Sequence, residues 1–302
     1  MNDGGLLAQI ERLKRQKKAI ILSHFYQRPE IQDIADYVGD SFGLSQQAAQ
    51  TDADVIVFCG VRFMAEVAAI LSPGKIVLLP ESEAGCPMAD MADAESLRSL
   101  KKQYPEAAVV SYVNTSAEVK AESDVCCTSA NVLKVVNSMP QRQIIFVPDR
   151  NMGQFVAART EKEIILWQGY CYVHDHLGAD DVLRAKQAHA EALVMVHPEC
   201  SPAVAEIADY VTGTTGMLKL ARTESANTFI VGTEIGLEYA LKKAAPGKDF
   251  IFSNPDLSCF NMKLTTLAKV ADSLEKLGPQ VSVPAHVAAR ARLALERMLT
   301  FY

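Results

Sequence analysis

Three cysteines, Cys86, Cys171 and Cys259, each follow a short apolar run, and they stand 85 and 88 residues apart in a chain of 302. The runs are IVLLPESEAGC, IILWQGYC and FIFSNPDLSC, and in each the sulfur falls where a buried strand would give way to a loop. A real duplication has to align other residues as well. The first apolar run of each unit ends at a polar ring: His24 in AIILSHFYQ, Tyr112 in AVVSYVNT, His197 in ALVMVHPEC. Seventeen residues beyond each ring lies a hydroxyl, Ser41, Ser129 and Thr214. A chain with this period folds as three similar units, and one thiolate from each could meet at a shared site.

Each unit has a third apolar run, VIVFCG, IIFVPD or FIVGTE, before the fourth that leads to its cysteine. Between them lie segments at helical spacing, such as FMAEVAAIL, FVAARTE and LEYALKKA. Short apolar runs alternating with helices of roughly ten residues read as parallel βαβ units. The expected fold is α/β: three three-layer α-β-α units of about four parallel strands each, related by pseudo-threefold symmetry around a central site.

Composition supports a globular chain, with 49% hydrophobic and 22% charged residues. No apolar run approaches the roughly 20 residues of a membrane helix. The start, MNDGGLLAQIERLKRQKK, reads as an amphipathic helix with a basic end and lacks the apolar stretch of a signal peptide. A cytoplasmic location with reduced thiols is therefore expected. The net charge of −6 and the absence of a basic stripe interleaved with aromatics argue against a nucleic-acid surface.

A small anionic ligand fits better. Ser41, Ser129 and Thr214 each stand near the expected start of a helix, where unpaired N–H groups attract anions. Taken singly, each could be only an N-cap; the shared register beside a polar ring favours a binding role. Of the seven cysteines, Cys59, Cys126 and Cys127 read as core residues and Cys200 has no counterpart in the other units. No CxxC is present, so any metal site is assembled from distant parts of the chain. Thiolates select zinc, Cu(I) or an iron–sulfur cluster. Spacing leaves open a zinc site completed by His174 and a four-iron cluster held by three cysteines.

The segments SHFYQRPEIQDIADYVGDS, CGVRFMAE, GCPMADM, VSYVNTSAEVKAESDVCCTSAN, FVPDRNMG, GYCYVHD, HPECSP, GTEIGLEYAL and NPDLSCFNMKLTTL resemble the quinolinate synthase family, in order and over nearly the whole chain. That resemblance implies that Cys86, Cys171 and Cys259 bind a [4Fe–4S] cluster with one iron open to substrate. It implies an enzyme of NAD biosynthesis that condenses iminoaspartate with dihydroxyacetone phosphate to quinolinate, phosphate and water. His24, Ser41, the stretch Tyr112-Val113-Asn114, Ser129, His174, the stretch His197-Pro198-Glu199 and Thr214 fall at substrate-binding positions, and Tyr26 at a further active-site position. An L-aspartate oxidase, which makes the unstable imine, is the implied functional partner.

Among these, Tyr26, Glu199, His24 and Tyr112 are the candidate catalytic groups. Glu199 lies two residues past His197, as Tyr26 does past His24 and Asn114 past Tyr112, so an extended backbone would turn each pair to one side. His176 makes the choice of His174 ambiguous, while His189 and His286 read as surface or packing residues and Arg62 as a solvated or anion-attracting one. By resemblance the two C-terminal helices return to the first unit. The expected domains are then residues 1–86 with 262–302, 87–172, and 173–261. The chain lacks the CxxC that some members carry at the third ligand, since Phe260, Asn261 and Met262 follow Cys259. A zinc-dependent lyase or hydrolase and a non-catalytic iron–sulfur sensor of dicarboxylates are the alternatives.

Overall fold

The computed structural model describes residues 3–301. The first unit contains β1 (Ala19–His24), β2 (Tyr37–Gly39), β3 (Val55–Cys59) and β4 (Ile76–Leu78). The second contains β5 (Ala108–Tyr112), β6 (Val125–Cys127), β7 (Gln143–Val147) and β8 (Glu163–Leu166); the third contains β9 (Leu193–Val196), β10 (Tyr210–Val211), β11 (Thr228–Gly232) and β12 (Asp249–Phe252). Every strand pairing within these sheets is parallel, and the sheets share one order, second–first–third–fourth strand. β3 and β5 are buried along their whole length, which fits runs such as VIVFC and AVVSY that show no polar face.

In each sheet the chain leaves the first strand for one side and returns to the other side for the third. That reversal opens a crevice at the carboxyl ends of the central strands, where ligands bind in open α/β sheets. His24 and Tyr112 are the last residues of β1 and β5, and His197 follows β9 directly. The repeated ring residues therefore stand at the switch points.

At the opposite ends of the strands the three units hold themselves together identically. Asp36, Asp124 and Asp209 accept the N–H groups of Ile21, Val109 and Val194 at 2.7–2.8 Å. Lys75, Lys162 and Lys248, each just before the fourth strand, reach the carbonyls of Thr51, Met139 and Glu224. Those carbonyls terminate helices Ser41–Gln50, Val132–Ser138 and Thr214–Thr223. A lysine there satisfies orphan carbonyls and faces the negative end of the helix dipole, worth about 0.3–1 kcal/mol when exposed.

The N-terminal helix Asp3–Lys17 buries Ile10 and Leu13 against Ile21 and Val57, and helix Leu267–Lys276 adds Val270 and Leu274 to the same cluster of the first unit. The last helix, Ala285–Leu299, touches helix Arg62–Leu71 of the first unit but also lies along helix Ala117–Ala121 and β6 of the second. No helix among the described residues is long and apolar enough to cross a membrane.

Candidate active site where the three units meet

The three crevices open onto one cavity. His24, Tyr26 and Ser41 line it from the first unit, Tyr112, Asn114 and Ser129 from the second, and His197, Glu199 and Thr214 from the third, with His174 and all three repeated cysteines. Val113 and Pro198 are buried between these residues without facing the cavity. Val113 serves through its backbone, donating N–H to the Cys127 carbonyl at 2.9 Å. The ambiguity at 174 and 176 resolves by burial: His174 is buried and His176 exposed. His189, His286 and Arg62 are also exposed, and Arg62 spends its guanidinium on the Ser82 carbonyl.

None of the three hydroxyls is an N-cap. Asp40 caps helix Ser41–Gln50 through the Gly43 N–H, Gly213 precedes helix Thr214–Thr223, and Asn131 precedes helix Val132–Ser138. The hydroxyls are thus spared for the cavity. The helix starts are also tied together: Thr215 donates to Asp40 at 2.6 Å, and a Cβ on Gly213 would meet Ser129 Oγ at 2.5 Å. Only glycine lets the second and third units approach this closely.

Each repeated cysteine opens a short helical turn. Cys86 immediately precedes Pro87–Asp90, Cys171 immediately precedes Tyr172–Asp175, and Cys259 lies two residues before the turn Asn261–Leu264. The backbone N–H groups of Met88 and Ala89 near Cys86, of His174 near Cys171, and of Asn261 and Met262 near Cys259 favour the thiolates. Burial nevertheless pushes the Cys86 thiol up to about 12 and raises the other two, and the charges of neighbouring cysteines add to this for Cys86 and Cys171. A bound cation is what would keep such sulfurs as thiolates. Three soft donors on one cavity, and no fourth cysteine there among the described residues, fit a cluster with three protein ligands. A second set, Cys171, His174 and Glu199, brings its ligand atoms within 4.8 Å of one another and could hold a single ion.

A chain of polar contacts crosses the cavity. Tyr26 Oη lies 2.7 Å from Thr233 Oγ1, which lies 2.9 Å from His174 Nε2. His174 Nδ1 is 2.7 Å from Glu199 Oε2 and 3.2 Å from Cys171 Sγ. With Glu199 ionised and His174 neutral, each contact has one proton when Nδ1–H faces Glu199, Nε2 accepts from Thr233 and Thr233 accepts from Tyr26; with His174 protonated, Nε2–H donates to Thr233 and Thr233 can donate to Tyr26. Burial alone would raise the Glu199 carboxyl. His174 and His197, aided by Tyr112, hold it instead below the usual carboxylate range. Burial and the Glu199 charge raise the phenols of Tyr26 and Tyr112, so both stay protonated. Burial lowers His24 and His197 to about 3, helped at His24 by Lys263 and at His197 by His174 while Glu199 opposes, so both rings are neutral near pH 7.

The expected pairings arise differently from an extended strand. β1 and β9 end before Tyr26 and Glu199, and a turn brings each back so that its N–H meets the ring two residues earlier, Tyr26 to His24 Nδ1 at 3.1 Å and Glu199 to His197 Nδ1 at 3.3 Å. Sequence reasoning missed Thr233, the centre of the relay, and two fully buried carboxylates, Asp149 and Glu234. A faint signal existed for the carboxylates: they follow β7 and β11 and stand 85 residues apart, the interval of Cys86 and Cys171.

Comparison with known proteins places the chain beside one family. The family described as quinolinate synthetase A protein matches residues 8–300. A quinolinate synthase of Desulforudis audaxviator is 57% identical over 97% of this chain and 97% of its own length. Those of Geobacter metallireducens and Methanosarcina acetivorans, the latter named quinolinate synthase 1, are 54% and 53% identical over 96% and 99% of this chain and 96% and 98% of theirs.

Proposed function

The chain belongs to the quinolinate synthetase A family, and from that membership and the cavity we propose that it condenses iminoaspartate with dihydroxyacetone phosphate to quinolinate. One molecule of each gives quinolinate, inorganic phosphate and two waters. The observation that carries this reading is the convergence of three thiols and a Tyr26–Thr233–His174–Glu199 relay on one cavity. In this reading Cys86, Cys171 and Cys259 hold a [4Fe–4S] cluster, which supplies a Lewis acid for the loss of hydroxide.

The remaining work falls to the side chains. Both substrates are anions, and Ser41, Ser129 and Thr214 offer hydroxyls beside three helix starts for carboxylate and phosphate. The neutral rings of His24 and His197 add N–H donors without a competing charge. Asp40, which directly precedes Ser41, has Oδ1 and Oδ2 engaged by Gly43 and Thr215 and so repels an incoming anion less. Glu199 takes protons from substrate carbon, being ionised and steadied by His174. Tyr26 gives a proton to a leaving oxygen and regains one from Thr233, which is resupplied by Nε2–H of His174 when that ring is protonated. The same relay, run in both directions, serves keto–aldo isomerisation of the triose and the closing dehydrations. We place the reaction in the cytoplasm, supplied with imine by an L-aspartate oxidase, and the three domains as 1–86 with 262–302, 87–172, and 173–261.

The trio Cys171, His174 and Glu199 supports a second reading, a single zinc in a lyase or hydrolase. Anaerobic purification, assay of iron, sulfide and zinc, then assay of quinolinate and phosphate from freshly generated imine and triose phosphate separates the possibilities. About four irons and four sulfides per chain with both products are expected. One zinc without sulfide overturns the cluster, and a clustered protein that binds a dicarboxylate but releases no phosphate is a sensor.

A further inference from the structure

The three units share a backbone link behind each cysteine. The N–H groups of Arg62, Arg150 and Ile235 donate to the carbonyls of Ala84, Gly169 and Leu257, two residues before each cysteine, at 2.8 Å in all three. This aligns the residues immediately before the donors: Val61, Asp149 and Glu234. At that position the second and third units carry carboxylates with no solvent exposure, and the first unit carries an apolar residue.

Both carboxylates grip the cysteine of their own repeat. Asp149 Oδ2 accepts the Cys171 N–H at 3.1 Å while Oδ1 accepts the Met152 N–H at 2.6 Å. Glu234 Oε1 accepts the Cys259 N–H at 2.9 Å while Oε2 accepts the Gly236 N–H at 2.7 Å. Glu234 also pairs with Lys263 at 2.8 Å, and that ammonium reaches the Tyr26 carbonyl, joining the third cysteine loop to the first unit. Asp149 has no cation within salt-bridge distance among the described residues. An isolated buried carboxylate is costly, and a Val at the same place in the first unit is compatible with the fold. Stability of the fold is therefore a poor reason for the carboxylates.

We propose that Asp149 and Glu234 are positioning residues for the metal centre: they fix the backbone of two of its three cysteines, and Glu234 with Lys263 sets the electrostatics beside the third, leaving the Cys86 corner without such a brace. This rests on the cluster reading above. Burial and the Glu199 charge push the Asp149 carboxyl up, so its hold on Cys171 is geometric; Glu234, ion-paired with Lys263, places negative charge near the cluster that disfavours its reduced form, so its removal moves the midpoint potential upward. A carboxamide also cannot accept at both of its ends, so each amide variant frees one backbone N–H.

The test uses the full chain, purified anaerobically with its cluster, as D149N, E234Q and the surface control D272N. Iron and sulfide content, the midpoint potential followed by electron paramagnetic resonance, and the rate of iron release to a chelator are measured for each. D149N and E234Q are expected to hold the cluster and to lose iron several-fold faster than D272N, and E234Q is expected to shift the potential positive. The pair E234Q/K263M removes both charges together, so its potential should return toward that of the unchanged protein while its iron release stays fast. Unchanged potential and release rate in both single variants overturn the proposal while leaving the cluster reading intact. A potential as far shifted in the double variant as in E234Q overturns the electrostatic part. A chain that carries no four-iron cluster at all overturns the reading beneath both.

Discussion

The two ends of the three sheets obey different rules. At the amino ends of the strands the units are copies: an aspartate holds the first strand and a lysine closes a helix, three times with the same residue types. At the carboxyl ends the backbone layout is still copied but the side chains diverge, to His24, Tyr112 and His197 at one position and Val61, Asp149 and Glu234 at another. At the amino ends, repetition of a side chain three times marks a requirement of the unit itself; at the cavity the cysteine and the hydroxyl repeat because each unit supplies one to a shared centre. Divergence on a conserved backbone marks a position that answers to the shared cavity, where the three walls meet different parts of one ligand.

The sharpest way to break this contrast is at a cysteine. Cys171→Ser is expected to abolish bound iron and to lower turnover by roughly 10³-fold or more, since the metal chemistry goes with the site; retention of most of the iron would show that the units do not act as one centre. Next comes Glu199→Gln, for which kcat should fall by about 10²–10⁴-fold, the usual contribution of a general base, with little change in quinolinate binding by calorimetry. Normal turnover would remove Glu199 from its role. Thr233→Val interrupts the relay but leaves Tyr26, His174 and Glu199 in place, and a loss of about 10²-fold in kcat with KM nearly constant is expected.

Two smaller effects concern stability. His24 and His197 titrate at about 3 in the fold against 6.5 when free, so below pH 6.5 the unfolded chain takes up protons that the folded one refuses. Stability is then lost as pH falls from 6.5 toward 3, by about 1.4 kcal/mol per histidine per pH unit. Thermal unfolding of the metal-free chain between pH 7.5 and 5.5 should show the drop, and His197→Asn should flatten it. At the outer end, Lys162→Met should cost about 1 kcal/mol in denaturant unfolding, through loss of its contacts with the Met139 and Gln141 carbonyls. It should leave kcat and KM unchanged, and a catalytic defect would blur the division between the two ends.

Much of the fold was legible because repetition amplifies a weak signal. A single run such as FIVGTE is ambiguous between strand and buried helix, but the same run recurring at a fixed interval between helical segments specifies a parallel unit. The cysteines and ring residues were legible for the same reason. Thr233 was not, because its importance lies in contacts to Tyr26, 207 residues away, and His174, 59 away, and nothing in its own segment records either neighbour. Asp149 and Glu234 were hidden because an acidic residue after a strand reads as exposed until the cysteine loop is folded over it.

The period of the chain by itself determined three α/β units and the placing of a cysteine, a ring and a hydroxyl on each, since these follow from local pattern and the alternation of strand and helix. Tertiary structure alone decided which of those groups touch, that Ser41, Ser129 and Thr214 are freed from capping, that the last helix is shared between two units, and that two of three cysteines are held by buried carboxylates. The physical reason is range: backbone pattern is encoded over a few residues, whereas burial, proton sharing and charge depend on segments that meet only after the units have docked.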